Sequence, residues 1–317
     1  MAVAPGAAAE WPMTAMHSLM PLRALFVGTL LAFGLLFAPG DADATINKCS
    51  VTSAGINFPA YDTVGKKAVD STGTIRVECN GRDTESLSLN ITGGYGTCPT
   101  RQMRNGTAPL VYRIFQDVTR VTPFCDGADR LNFTIAFGTT TSTQIRTFTM
   151  YGRVDGSQTP TWGTYSDPLV NIAIKRGGSQ VASGTFPVNG SVSPTCSVSS
   201  GTLDFGNYSS SAAALGTATV AVNCSNGAPY NISLGGGQNL SGTTRRMARS
   251  GGGFLSYELF SNSLRTLAWG DGTALGAKVG GTGSGTGQSR TIYGRIPAGQ
   301  SAAAGSYSDS VIVTVDY

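Results

Sequence analysis

Ser310-Val311-Ile312-Val313-Thr314-Val315-Asp316-Tyr317 closes the sequence. Val311, Val313, Val315 and Tyr317 fall on one side of an extended chain and Ile312, Thr314 and Asp316 on the other, which is the period-2 pattern of a half-buried strand. An apolar strand inside a sheet has a neighbour on each side, so the segment raises the question of which chain lies beside it. The same texture runs through the sequence. Val, Thr and Tyr stand in short alternating runs separated by some of the 43 glycines, and no stretch shows a 3.6-residue period. The expected fold class is all-β.

The first 44 of the 317 residues read as a secretion signal. Arg23 precedes an apolar run from Ala24 to Ala38, and Ala42-Asp43-Ala44 supplies the small-x-small cleavage pattern, so the mature chain is expected to begin at Thr45. A run of about 15 residues is short for a bilayer span, which needs roughly 20. Without Glu10, Arg23, Asp41 and Asp43, 21 basic and 15 acidic side chains remain, a net charge of +6. The basic residues are scattered, as at Lys66-Lys67 and Arg245-Arg246, which argues against a nucleic-acid partner.

All six cysteines, Cys49, Cys79, Cys98, Cys125, Cys196 and Cys224, follow the signal, and an even count behind such a signal predicts disulfides in an oxidising compartment. The one histidine, His17, lies in the segment expected to be removed. The mature chain then has no Ser-His-Asp or Cys-His catalysis available, and no cofactor or metal site is expected.

The mature chain repeats itself. Cys49 and Cys79 are answered by Cys196 and Cys224, each second cysteine closing a Val-Xaa-Cys strand. Arg101-Gln102-Met103 is answered by Arg245-Arg246-Met247, and Leu110-Val111-Tyr112 by Leu255-Ser256-Tyr257. Tyr151-Gly152-Arg153 and Tyr165-Ser166-Asp167 return as Tyr293-Gly294-Arg295 and Tyr307-Ser308-Asp309. Residues 45–190 and 191–317 are therefore expected to form two sandwiches in tandem, each of roughly seven strands. The repeat pairs Cys49 with Cys79 and Cys196 with Cys224, leaving Cys98 for Cys125.

The halves differ at their ends. Val170, Ile172 and Ile174 take the place of Val311, Val313 and Val315 if Pro168 is an inserted residue. The first half then continues through Gly177-Gly178, a hairpin signal, into one more strand at 181–188, for which the second half shows no counterpart.

The opening Cys196 to Phe205-Gly206-Asn207-Tyr208, the Val-Xaa-Cys strand, Arg246-Met247, Trp269-Gly270 and the closing Tyr293-Gly294-Arg295-Ile296-Pro297-Ala298-Gly299-Gln300 resemble the spore coat protein U domain, found in secreted pilins of the archaic chaperone-usher class. The match is close over 194–317 and weaker over 45–190, where Phe58-Pro59-Ala60-Tyr61 stands for the Phe-Gly-Xaa-Tyr turn and the Trp-Gly pair and Ile-Pro-Ala-Gly-Gln turn are missing. The resemblance implies an immunoglobulin-like sandwich whose second copy lacks its last strand. It also implies a periplasmic chaperone, an usher, and an adjacent pilin subunit that donates a strand along Val311, Val313, Val315 and Tyr317. Only Thr45-Ile46-Asn47-Lys48 precede Cys49 in the expected mature chain, too few for a donor strand, so the resemblance further implies a tip adhesin at the cell surface, serving attachment or biofilm formation. A structural coat or matrix protein of the same domain family is the alternative.

The N-terminal half is then expected to contact an unknown surface or receptor. Tyr95, Pro123, Phe124 and Trp162, on or near loops present only in that half, are the candidate contact residues. Asp155, Asp167 and Asp309 lie near turns, where aspartate is common for backbone reasons. The glycine-rich stretch 270–287 lacks the Gly-Lys-Ser/Thr ending of a phosphate loop. Arg153 and Arg295 recur after Tyr-Gly in both halves, as a shared structural role requires. No enzyme is expected.

Overall fold

The computed structural model describes residues 45–317, and the expected signal segment at 1–44 lies outside the described residues. The β-branched and aromatic runs form strands throughout, with a single 3-10 turn at Gly127–Asp129 among the described residues. The first half contains β1 (Thr45–Ala54), β2 (Ile56–Asn57), β3 (Val69–Arg82), β4 (Thr84–Gly93), β5 (Tyr95–Thr97), β6 (Thr100–Asn105), β7 (Ala108–Phe115), β8 (Leu131–Ala136), β9 (Ser142–Val154), β10 (Gly163–Asp167), β11 (Val170–Arg176), β12 (Ser179–Thr185) and β13 (Val188–Val192). The second contains β14 (Cys196–Ser200), β15 (Ala214–Cys224), β16 (Pro229–Leu234), β17 (Arg245–Arg249), β18 (Phe254–Phe260), β19 (Val279–Thr282), β20 (Gly287–Ile296), β21 (Tyr307–Ser308) and β22 (Val313–Asp316).

In the first half one sheet has the order β1-β3-β9-β7-β6-β10-β13-β2, with β5 beside β6, and it packs on a second sheet of order β12-β11-β4-β8. Alternation decides what faces inward. Ile75 and Val77 of β3, Leu89 and Ile91 of β4, and Ile172 and Ile174 of β11 are wholly buried in one core, each contributing about 1.5–3 kcal/mol of burial. In the second half β14-β15-β20-β18-β17-β21 packs on β19-β16-β22 around Val220, Val222, Ile232, Leu234 and Trp269. The chain is thus two immunoglobulin-like β-sandwiches in tandem. Both halves carry more strands than the seven expected, the first in part through the added β5–β6 hairpin and the short β2 beside β13.

Cys49–Cys79 joins directly paired positions of β1 and β3, and Cys196–Cys224 does the same for β14 and β15. The third disulfide is Cys98–Cys125. It links the β5–β6 turn to the long connection after β7. The short β5–β6 hairpin supplies the extra reversal that lets residues 93–108 turn twice, once at Cys98-Pro99 and once at Gly106. The second of these turns reaches the joint only through Trp162, to whose carbonyl Asn105 Nδ2 donates at 3.3 Å.

Val192 lies in the first core and β14 starts at Cys196, so the halves meet at residues 193–195. The joint is polar and closely fitted. Thr63 Oγ1 donates to Ser225 Oγ at 2.8 Å, the Trp162 amide donates to Asn226 O at 3.1 Å, and its indole donates to Gly227 O at 3.0 Å. Thr63 and residues 155–162 all flank the Val69/Val154 end of the β3–β9 pair. The opposite end of that half therefore carries the turns at 82–84, 137–142 and 177–178.

Candidate strand-acceptor site

β22 lies at the edge of its sheet: Val313 and Val315 pair with Leu234 and Ile232 of β16, and among the described residues no strand pairs with its other side. In the first half the corresponding edge is covered. Gly177 and Gly178, at φ of 55° and 91°, turn the chain back as β12, antiparallel to β11 from Arg176↔Ser179 to Asn171↔Thr185. β12 then lies between β11 and β1. A Cβ on Gly184 would stand 3.0 Å from Val51 Cγ1, and Ser53 Oγ donates to Thr185 O at 2.6 Å.

The difference registers on the inward residues. Val170, Ile172 and Ile174 are wholly buried, whereas Val311, Val313 and Val315 are only half-buried and Tyr317 is 59% exposed. Between β14 and β22 lies a cavity of about 450 Å³ lined by Leu203, Phe205, Leu234, Met247, Tyr257 and Val313. An edge with unpaired backbone beside an apolar trench is the geometry that accepts an added strand.

A polar frame borders the trench. Arg245, 4% exposed, donates to Leu234 O at 2.8 Å, to Gly235 O at 2.9 Å and to Trp269 O at 3.1 Å. Burial pushes its pKa below the usual guanidinium value, with Tyr257, Asp271 and Asp309 opposing the shift. Tyr257 donates to Asp309 Oδ2 at 2.6 Å, and Asp309 also accepts from Gln238 N at 2.9 Å. The first half repeats the arrangement. Arg101 donates to Ile91 O at 3.2 Å and to Gly93 O, and Tyr112 donates to the wholly buried Asp167 at 2.8 Å. Burial pushes the phenols of both Tyr112 and Tyr257 far up.

Three motifs missing as strings from the first half survive there as geometry. Phe58 and Tyr61 are the counterparts of Phe205 and Tyr208: Tyr61 accepts from Gln158 N at 2.8 Å as Tyr208 does from Gln300 N at 2.9 Å. Gln158 pairs with both backbone groups of Val111, as Gln300 does with Ser256. Phe124 stands where Trp269 stands, its amide donating to Ile114 O as that of Trp269 donates to Leu259 O.

That last correspondence corrects one expected contact residue. Phe124 is wholly buried in the core and faces no solvent. Trp162, 42% exposed, donates its indole N–H to Gly227 O at the joint. Tyr95 is half-buried under the Arg104 guanidinium, 4.5 Å from its ring centre, and Pro123 is half-buried in a bridge with Phe115. The reading of side chains missed Val118 and Val121, 64% and 75% exposed on the loop after β7. Asp117, which accepts from the amides of Val121 and Thr122, holds that loop in shape. The second half carries the same loop, with Leu264 and Leu267 exposed and Asn262 accepting from the amides of Thr266 and Leu267, so the loop belongs to the shared fold.

The recurrent arginines are structural: Arg153 pairs with Asp70 at 2.8 Å and Arg295 with Glu258 at 2.7 Å. Among the described residues no group of three acidic, cysteine or histidine side chains is placed to hold a metal ion.

Comparison with known proteins identifies the family. Protein U of Myxococcus xanthus is 30% identical over 164 residues, a match spanning 46% of this chain and 90% of that protein. Among solved structures, the CsuC-CsuE chaperone-tip adhesion subunit pre-assembly complex of Acinetobacter baumannii has a chain that matches at 18% identity. That match covers 74% of this chain and 85% of the other, with a TM-score of 0.45. The CupB6 tip adhesin of Pseudomonas aeruginosa matches at 10% identity over 85% of this chain and 94% of its own, with a TM-score of 0.33. The model of the Spore Coat Protein U domain matches residues 38–171 and again 182–314. The chain belongs to the Spore Coat Protein U domain family and carries the domain twice.

Proposed function

We propose that this chain is a secreted, non-enzymatic pilus subunit of the chaperone-usher class. Its C-terminal sandwich accepts a strand at the β22 edge, first from a periplasmic chaperone and then, at the usher, from the adjacent subunit. Its N-terminal sandwich stands at the tip and contacts a surface or receptor, for attachment or biofilm formation. The single observation that carries this reading is the asymmetry of two like edges: Ile172 and Ile174 are wholly buried beneath their own β12, while Val313 and Val315 stay half-buried beside an open trench.

One further feature supports the tip position. Thr45, Ile46 and Lys48 pair with Arg82, Gly81 and Asn80, so these residues are committed to their own sheet rather than free for donation.

The test is to append a donor segment after Tyr317 through a short linker and follow thermal unfolding. Completing the burial of several apolar side chains, at about 1.5–3 kcal/mol each, raises the midpoint by many degrees. An unchanged midpoint would sink the strand-acceptor reading.

A further inference from the structure

The segment that completes the first half does more than pair with β11. After Thr185 the chain crosses to the other sheet, and β13 enters between β10 and β2, antiparallel to the first and parallel to the second. There the amides of Ile56, Phe58 and Tyr61 donate to Pro187 O, Asn189 O and Ser191 O at 3.0, 2.8 and 2.8 Å. One continuous stretch of fourteen residues, Ser179 to Val192, therefore closes both sheets in turn.

The second half lacks both parts. Leu203, Phe205 and Tyr208 occupy the places of Ile56, Phe58 and Tyr61, and among the described residues their amides make no such backbone bond. Tyr307 and Ser308 pair with β17 on one side only. Between these two edges lies a second cavity, of about 890 Å³, bordered by Leu203, Tyr208, Met247 and Tyr307. Ile56 and Phe58 are buried, whereas Leu203 and Phe205 are half-buried.

We propose that the acceptor site of the second half is a two-part groove, which rests on the strand-acceptor reading above. Its occupant is an extended segment of an adjacent subunit, about fourteen residues long, that pairs with β22 and then crosses sheets to lie along Leu203–Tyr208. The intact half specifies that segment's chemistry. Position 184 must be small, because a Cβ there meets Val51 at 3.0 Å. Positions 186, 188 and 192 carry the buried Phe186, Val188 and Val192. Position 190 is again glycine, with Met103 Cε 3.2 Å from where a Cβ would stand; Met247 is its counterpart. The occupant thus reads small, large aromatic, β-branched, small, β-branched at every second residue, apolar on one face only. A segment that ends after the first part leaves the second cavity and the three amides open.

The test appends to the full chain, directly after Tyr317, either a short copy of residues 177–186 or a long copy of residues 177–192, and follows thermal unfolding and amide hydrogen exchange. Both copies slow exchange along β22. Only the long copy slows exchange at Leu203, Phe205 and Tyr208, by about a hundredfold or more, because amides paired within a stable sheet exchange only through larger openings. It also gives the higher midpoint. A long copy with leucine in place of the residue copied from Gly190 behaves like the short one. Equal exchange at Leu203, Phe205 and Tyr208 with both copies overturns the two-part groove while leaving strand acceptance standing. Unchanged exchange along β22 with either copy overturns the reading beneath it.

Discussion

Thr63 Oγ1 donates to Ser225 Oγ at 2.8 Å across the joint between the sandwiches, and both residues are buried. Ser225 Oγ also accepts from Thr195 N at 3.0 Å and lies 3.1 Å from Ser193 O, so one hydroxyl ties both halves and the link between them. With Trp162 held to Gly227 nearby, the joint transmits orientation from one half to the other.

Ser225→Ala leaves the Thr63 hydroxyl and the Thr195 amide without that partner in a buried place, at a cost of about 1–3 kcal/mol. Thr63→Val removes only one of these bonds and costs less. The two changes together cost less than their sum, with a coupling of about 0.5–3 kcal/mol, because they share one interaction. Denaturant unfolding of the two single variants and the double variant checks this, and strict additivity would rule out a shared hydrogen bond.

Tyr112 and Tyr257 give a pH dependence with a definite sign. Burial first, and then the neighbouring Asp167 or Asp309, raises both phenols above the ordinary value of about 10. A group whose pKa is raised by folding contributes stability that is fully present below its unfolded value and is lost as pH rises beyond it. Stability is therefore expected to fall above about pH 10, with these two phenols ionising only as the sandwiches open. Burial also raises Tyr61 and Tyr165, so phenolate absorbance should show a late group of tyrosines, with Tyr112 and Tyr257 in its last part, coinciding with loss of structure. Early titration of either phenol in the folded chain would contradict the assigned burial.

How much of this was legible depends on what each residue contacts. Arg101 and Arg245 were visible as a repeat because an arginine is needed to reach several backbone carbonyls from within the core, which keeps the residue type fixed at both places. Val311, Val313 and Val315 were visible because alternation is local. Phe124 was misplaced because the position it shares with Trp269 asks only for a large aromatic: the Trp269 indole donates to Ile232 O, and phenylalanine fills the space without that bond. The turn at Phe58 to Tyr61 matches its counterpart in place but not in sequence for a similar reason. Its function lies in the ring of Phe58 and the hydroxyl of Tyr61, while the residues between them vary. Trp162 was unreadable locally, since its partner Gly227 lies 65 residues away in the other sandwich. The second cavity was invisible because β13 joins two sheets, and alternation reports faces rather than neighbours.

Phe124 and the Cys98–Cys125 bond yield a prediction that separates packing from surface contact. Phe124→Ala opens a void in a closed core and costs about 3–5 kcal/mol. Cys98→Ser with Cys125→Ser frees a loop closed over 27 residues of separation and costs about 3–4 kcal/mol in chain entropy. Val118→Ser and Val121→Ser stay within about 0.5 kcal/mol of the parent, as exposed positions do. Thermal unfolding ranks the three sets. A Phe124→Ala chain as stable as the parent would return that residue to the surface.

Gly152 and Gly294 make the last test, because the two glycines meet like neighbours in unlike surroundings. A Cβ on Gly152 would stand 2.7 Å from Phe58 Cζ and 3.0 Å from Ile56 Cδ1, and one on Gly294 would stand 2.7 Å from Phe205 Cε1 and 2.9 Å from Leu203 Cδ1. Phe58 and Ile56 are buried and have nowhere to move, so Gly152→Ala is expected to cost about 1–3 kcal/mol through overpacking. Phe205 and Leu203 border open cavities and can withdraw by the few tenths of an ångström required, so Gly294→Ala is nearly neutral in the isolated chain. Once a long donor segment fills the groove, that freedom is gone and the cost of Gly294→Ala rises to match its counterpart. Comparing both substitutions by thermal unfolding, with and without the appended segment, reads the filling of the groove from the far side of the sheet. Equal penalties in the absence of the segment would show that the second sandwich is already closed.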